Sequence, residues 1–231
     1  VYKDESKCFL YRISTGEQIA SVDFDGRKQY VDYNDIFANP KENLFELNQD
    51  GSLLAVSFRD GSLDVFCVEE PDESLSVLDE DSGCFRFSGG FFQKYFAFSA
   101  ADSEKSEFFV IDTGKAVQTG GFTLSAKVTV SCDESGIYLC SDNFLERIDP
   151  ESGREESVAY TMAEILNYER MDAFTAVSTS DHTYEVFTPD ALKMQTFTCD
   201  FTPDFVCISD RYLCAGSMSR TDIQVRRLKE H

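Results

Sequence analysis

Tryptophan is missing altogether, and methionine, proline and histidine are scarce, at 4, 5 and 2 of 231 residues. So few histidines leave almost nothing for a zinc cluster or for proton transfer at neutral pH. A Ser-His-Asp arrangement would have to use His182, in Ser180-Asp181-His182-Thr183, because the other histidine is the terminal His231. No G-x-S-x-G nucleophile elbow accompanies it, and His182 reads as an exposed turn residue. No apolar run is long enough to span a membrane as a helix, and no signal-peptide pattern opens the chain. The chain does not begin with Met, so Val1 reads as the start of an excised or processed piece. Bases are also short: 21 against 42 acids, a formal charge of −21. Phosphate backbones and anionic lipid surfaces need clustered Lys and Arg, so neither nucleic acid nor an anionic membrane is expected as a partner. A basic partner fits, and the acidity keeps the domain in solution.

Eight cysteines are present, at 8, 67, 84, 132, 140, 199, 207 and 214. None forms CxxC, which argues against a thioredoxin-like site or a zinc ribbon. Each stands beside apolar residues, as in Phe205-Val206-Cys207-Ile208, so buried free thiols are the expectation. Free thiols point to a reducing compartment, either cytoplasm or the extracytoplasmic part of a membrane protein from an anaerobic host. If bridges form, the nearest candidates are Cys132 with Cys140 and Cys207 with Cys214, each pair spanning one expected turn.

What the chain has in quantity is Phe and Tyr, 21 and 10 residues, which suit pleated, half-buried surfaces. They fall into a repeat. A short strand and polar turn, Leu10-Tyr11-Arg12-Ile13-Ser14-Thr15-Gly16-Glu17, returns at 109–115, at 145–154 and, degenerately, at 184–191. Two further strands, 63–66 and 223–226, lack the glycine turn. Counting the fourth residue of each strand gives positions 13, 66, 111, 148, 187 and 226, the last steps being 37, 39 and 39. Longer early steps fit insertions at 25–42 and 69–83. A second device, Asp-Gly or Asp-x-x-Gly before a strand, stands at 50–57 and 133–140 and more weakly at 210–216. There the turn needs positive φ or a side chain that bonds its own backbone. Each unit then reads as four short antiparallel strands in about 38 residues, one propeller blade. Residues 162–170 have the best helical propensity, yet the repeat requires the first strand of a blade there, and a strand is expected.

The run Asp50-Gly51-Ser52-Leu53-Leu54-Ala55-Val56-Ser57-Phe58-Arg59-Asp60-Gly61-Ser62-Leu63-Asp64-Val65-Phe66 resembles the middle of a WD-repeat blade, with Phe66 where Trp is usual and no Trp-Asp dipeptide anywhere. The endings Ile111–Gly114 and Ile148–Gly153 look more like quinoprotein-type bacterial propellers. The resemblance implies a propeller fold; with the repeat spacing, the expectation is an all-β propeller of five to six four-stranded blades, with seven as the outer limit. It implies no particular activity.

The expected domain is a single one, 1–231, with units near 1–42, 43–82, 83–122, 123–161, 162–200 and 201–231. One blade is incomplete or is closed by both termini: either residues 8–24 and 201–228 share a sheet, or missing strands precede Val1.

No residue stands out as catalytic, cofactor-binding or metal-binding. The acidic run Glu69, Glu70, Asp72, Glu73, Asp79, Glu80 and Asp81 lacks calcium-loop spacing and reads as a solvated loop. Gly89-Gly90 and Gly120-Gly121 have no phosphate-loop context and read as turn or bulge glycines. Arg226, Arg227 and Lys229 end the last strand. The aromatic stretch 85–98 packs between blades, with a minority left as a sticky patch. The function expected is a non-catalytic module binding protein or peptide. The alternatives are a sensory or ligand-binding part of a membrane-anchored protein, and a propeller hydrolase or lyase.

Overall fold

In a computed structural model of the chain, residues 2–3, 7–24, 44–58, 60–70, 72–124, 128–171, 174–209, 211–217 and 222–228 are described. The expected insertion at 25–42 and the terminal His231 and Lys229 lie outside them.

The described residues form antiparallel sheets whose strands follow chain order. The first sheet holds β1 (Tyr2–Lys3), β2 (Lys7–Tyr11) and β3 (Gln18–Asp23). Four four-stranded sheets follow. They are β4 (Phe45–Leu47), β5 (Leu53–Ser57), β6 (Leu63–Cys67) and β7 (Ser74–Leu78); then β8 (Arg86–Phe92), β9 (Tyr95–Ala101), β10 (Ser106–Asp112) and β11 (Val117–Leu124). Next come β12 (Val128–Asp133), β13 (Gly136–Ser141), β14 (Phe144–Ile148) and β15 (Glu155–Tyr160), and β16 (Ile165–Met171), β17 (Phe174–Thr179), β18 (Thr183–Phe187) and β19 (Lys193–Thr198). A three-stranded sheet of β20 (Phe205–Ile208), β21 (Tyr212–Ser217) and β22 (Asp222–Arg227) ends the series. Among the described residues, the strands at 7–23 and those at 205–227 are each assigned to a three-stranded sheet.

Contacts divide the chain into two compact units, residues 1–137 with 150–153, and residues 138–149 with 154–231. In the first unit, strand alternation buries both faces of the second sheet. Leu54, Val56, Phe66 and Val68 meet Cys8, Leu10, Val22 and Phe24 of the first sheet and its flank, with Phe24 edge-on to Phe58 at 5.4 Å. Ala55 and Val65 face the other way and join Phe87, Phe96, Phe98 and Ile111 of the third sheet. Phe87, Phe96 and Phe98 of the aromatic stretch pack between sheets, against Ala55 and Val65; within the third sheet Phe96 stacks on Phe98 at 5.3 Å, and Phe98 on Phe109 at 4.9 Å. The second unit has its own two cores. One joins Tyr138, Leu145, Ile165, Val177 and Phe187; the other joins Ala176, Tyr184, Val186, Leu213 and Ala215.

The stretch with helical propensity, 162–170, holds the strand β16, as the repeat required. Its Tyr168 packs against the core of Val177 and Phe187, and that burial outweighs a propensity difference of a few tenths of a kcal/mol per residue. Two details differ from the sequence expectation. Arg12 N–H bonds Glu17 C=O at 2.8 Å and Asp149 N–H bonds Arg154 C=O at 2.9 Å, so these are equivalent turns. The counterpart of Ile148 is therefore Tyr11, not Ile13, and Ile13 stands fully exposed in the turn. Gly89 and Gly90 are not turn residues but lie inside β8. A side chain at Gly89 would come within 2.5 Å of Ala97 C=O, so close packing against β9 demands glycine there.

Candidate functional site

An open cleft of about 920 Å³ lies in the first unit. It is built by three equivalent turns, each joining the first two strands of its sheet: β4–β5, β8–β9 and β12–β13. Four carboxylates, Glu46, Asp50, Asp133 and Glu134, share it with Leu47, Phe91 and Phe92.

The first and third turns are fixed locally. Asn48 accepts from Leu53 N–H at 2.9 Å through its side-chain oxygen and donates to Ser52 Oγ at 3.1 Å. Asp50 Oδ1 accepts from Ser52 N–H at 2.9 Å. The Ser52 hydrogen bonds hold the Asp50 carboxyl below the usual carboxylate range. Asp133 Oδ1 takes three donors: Ser135 N–H at 2.7 Å, Ser135 Oγ at 2.5 Å and Gly136 N–H at 3.1 Å. This is the self-bonding Asp device expected from sequence. Asp210 of the weaker copy lies outside the described residues; beside it Ser209 Oγ accepts from Tyr212 N–H at 3.0 Å. Between Phe92 and Tyr95 the chain turns through Gln93 at φ 53°.

The wall between the second and third turns depends on β12 lying close to β8. Gly90 permits this, since a Cβ there would stand 3.2 Å from Cys132 Cβ. Three serines fasten the strand: Val130 N–H donates to Ser88 Oγ at 2.8 Å, Ser99 Oγ donates to Val128 C=O at 3.0 Å, and Val128 N–H donates to Ser106 Oγ at 3.3 Å. Ser88 and Ser99 bond each other at 2.7 Å. Burial, with Asp133 and Glu46 nearby, pushes the Cys132 thiol up to about 12, which makes it inert at neutral pH. Glu46 is exposed overall, yet the protein around its carboxyl raises its pKa by desolvation.

Sequence reasoning named Asp50, Asp133 and the Gly89-Gly90 pair, but as turn residues, and gave no sign that three distant turns line one cleft. Of the acidic run, the described side chains of Glu69, Glu70, Asp72, Glu73, Asp79 and Glu80 are exposed and outside the cleft. His182 is exposed in the β17–β18 turn, at φ 65°. All eight cysteines are unbridged. Only Cys8, Cys140 and Cys199 are fully buried, however, and Cys207 is exposed, a correction to the expectation that most are buried.

No protein-family model matches the sequence, and no curated protein matches it. Solved structures do. The β-propeller domain of Cps50 (Swd1) from Myceliophteria thermophila superposes with a TM-score of 0.61 at 11% identity, over 97% of this chain and 78% of that one. The fold is a β-propeller. BBS1N, solved in complex with ARL6DN, gives 0.59 at 13% identity over 98% and 74%. NirN, a dihydro-heme d1 dehydrogenase solved in complex with DHE, gives 0.69 at 10% identity over 97% and 50%. The chain thus spans half the length of NirN. The four-stranded sheets are propeller blades, and the cleft lies where the first two strands of three successive blades turn. A propeller scaffold serves both partner binding and enzymes, so the fold leaves the choice to the site.

Proposed function

We propose that the chain is a non-catalytic propeller module that binds a protein or peptide, and that the cleft takes a basic, extended segment of that partner. In this reading residues 1–231 make one propeller domain with six units of about 38 residues. The observation that carries the proposal is the cleft itself: four carboxylates and two phenylalanines at three strand junctions, two of whose turns are held by their own hydrogen bonds. Loops on a rigid scaffold are where recognition resides, and carboxylates beside aromatic rings suit Lys and Arg side chains. Two of the acids favour recognition over proton transfer. Asp50 stays ionised, and one Asp133 oxygen is occupied by turn donors. The complex of BBS1N with ARL6DN is a precedent for a propeller with a protein partner.

The test is titration of the folded chain with an Arg/Lys-rich peptide and with its charge-reversed counterpart. The basic peptide should bind, more weakly at higher salt, and Glu46→Gln with Glu134→Gln should weaken it about tenfold, near 1.4 kcal/mol. Equal binding by the double variant would refute the cleft as the site.

A further inference from the structure

Two thiols stand face to face on the last sheet. Cys207 of β20 and Cys214 of β21 are direct cross-strand partners. Two residues further along, Ser209 N–H bonds Tyr212 C=O at 2.8 Å. Hydrogen-bonded pairs alternate along an antiparallel ladder, so Cys207 and Cys214 form such a pair too, with Cα atoms about 5.5 Å apart. That Cα separation falls inside the range a disulfide spans, and directly opposed side chains leave the sheet on the same side; the Cβ atoms of such a pair, about 5.5 Å apart, must close by about 1 Å, so the bond that forms is strained and readily reduced. The side in question is open. Cys207 is exposed and Cys214 half-buried, while Ile223 and Val225 on β22 are 65% and 59% exposed. Cys214 lies opposite Val225, and Gly216 opposite both Phe205 and Ile223.

We propose that Cys207 and Cys214 form a reversible dithiol–disulfide site, oxidised by a low-molecular-weight disulfide of the glutathione type. The exposed Cys207 is the entry thiol. Its thiolate attacks one sulfur of the small disulfide, the S–S bond breaks, and one small thiolate leaves. Cys214 then gives its proton to solvent and attacks Cys207 Sγ, expelling the second small thiolate. Two electrons pass from the cysteine pair to the small disulfide, which ends as two thiols. Burial and the neighbouring Cys207 raise the Cys214 pKa, which suits Cys214 to the second, intramolecular step, where proximity replaces thiolate abundance. This site is independent of the cleft and of the peptide-binding reading.

The experiment treats the folded full chain with oxidised glutathione, blocks remaining thiols, denatures, and maps tryptic peptides. Cleavage after Arg211 puts the two cysteines on different peptides, so a bridge appears as a cross-link between 194–211 and 212–220. Expected are two fewer blockable thiols than the eight of the reduced chain, that cross-link, and its reversal by dithiothreitol. Because Cys199 shares the first peptide, the link must survive in Cys199→Ala and vanish in Cys207→Ser. Cys214→Ser should stop at a stable mixed disulfide on Cys207. The proposal is overturned if the native chain keeps every thiol, if it stops at the mixed disulfide, if the link depends on Cys199, or if bridges form only between chains.

Discussion

Ala191 sits at φ 57° in the turn after β18, where Thr188 N–H bonds Leu192 C=O at 3.0 Å. In the matching turns this place, just before the residue that closes the hydrogen bond, belongs to Gly16 and Gly153, at φ 68° and 67°. An L-residue there carries about 1 kcal/mol of steric cost that glycine escapes. Ala191→Gly should therefore stabilise the chain by at most about 0.5 kcal/mol after the entropy cost of glycine is subtracted, and Gly153→Ala should destabilise it by a similar amount. Urea midpoints of the two variants check both signs. The same comparison explains why Ile13 misled the repeat count. It fits the apolar pattern of the strand ends, but the hydrogen bond from Arg12 begins the turn one residue earlier, and an exposed isoleucine in a turn leaves no trace in the sequence that separates it from a strand end.

At the scale of the element, β12 is held to β8 and β9 largely through serine hydroxyls. Ser88→Ala would leave Val130 N–H without its acceptor, and an orphaned amide of this kind costs about 1–3 kcal/mol. Ser99→Ala, which frees a carbonyl that has a second lone pair for other donors, should cost less. Chemical denaturation of the two variants gives the order. Serine in a strand rich in Phe and Ala gives no sequence signal of this role, because the bonded partner is 29 to 42 residues away. The charge state of the cleft belongs to this scale too. Desolvation raises Glu46, so below its shifted pKa the group is neutral and gives a cationic ligand nothing. Affinity for the basic peptide should rise as pH increases from about 4 toward neutrality, and Glu46→Gln should flatten that rise. Calorimetric titration at several pH values measures it.

Over the whole molecule, a formal charge of −21 makes self-repulsion a general term against compactness. Thermal midpoints should climb as salt is raised from low to moderate ionic strength, and a midpoint falling with salt would contradict this. Short DNA or RNA should leave the chain's mobility unchanged at physiological salt, as its deficit of basic residues requires. The repeat that revealed the propeller was readable because each blade is made of local pieces: alternating strands, Asp-bearing turns and glycine at positive φ, all within about 38 residues. Residues 162–170 show how far that reading goes, since the period placed β16 correctly where propensity pointed to a helix. Sequence alone therefore determined the all-β class, the strand rhythm and the acidity. Only the tertiary structure decided that residues 46–50, 89–93 and 131–134 line one cleft, and that Cys207 opposes Cys214 in an exposed sheet. The reason is physical: strand formation depends on neighbours a few residues away, whereas a cleft or a cross-strand pair depends on register and on the close approach of strands, set by groups as inconspicuous as Gly90 and Ser88.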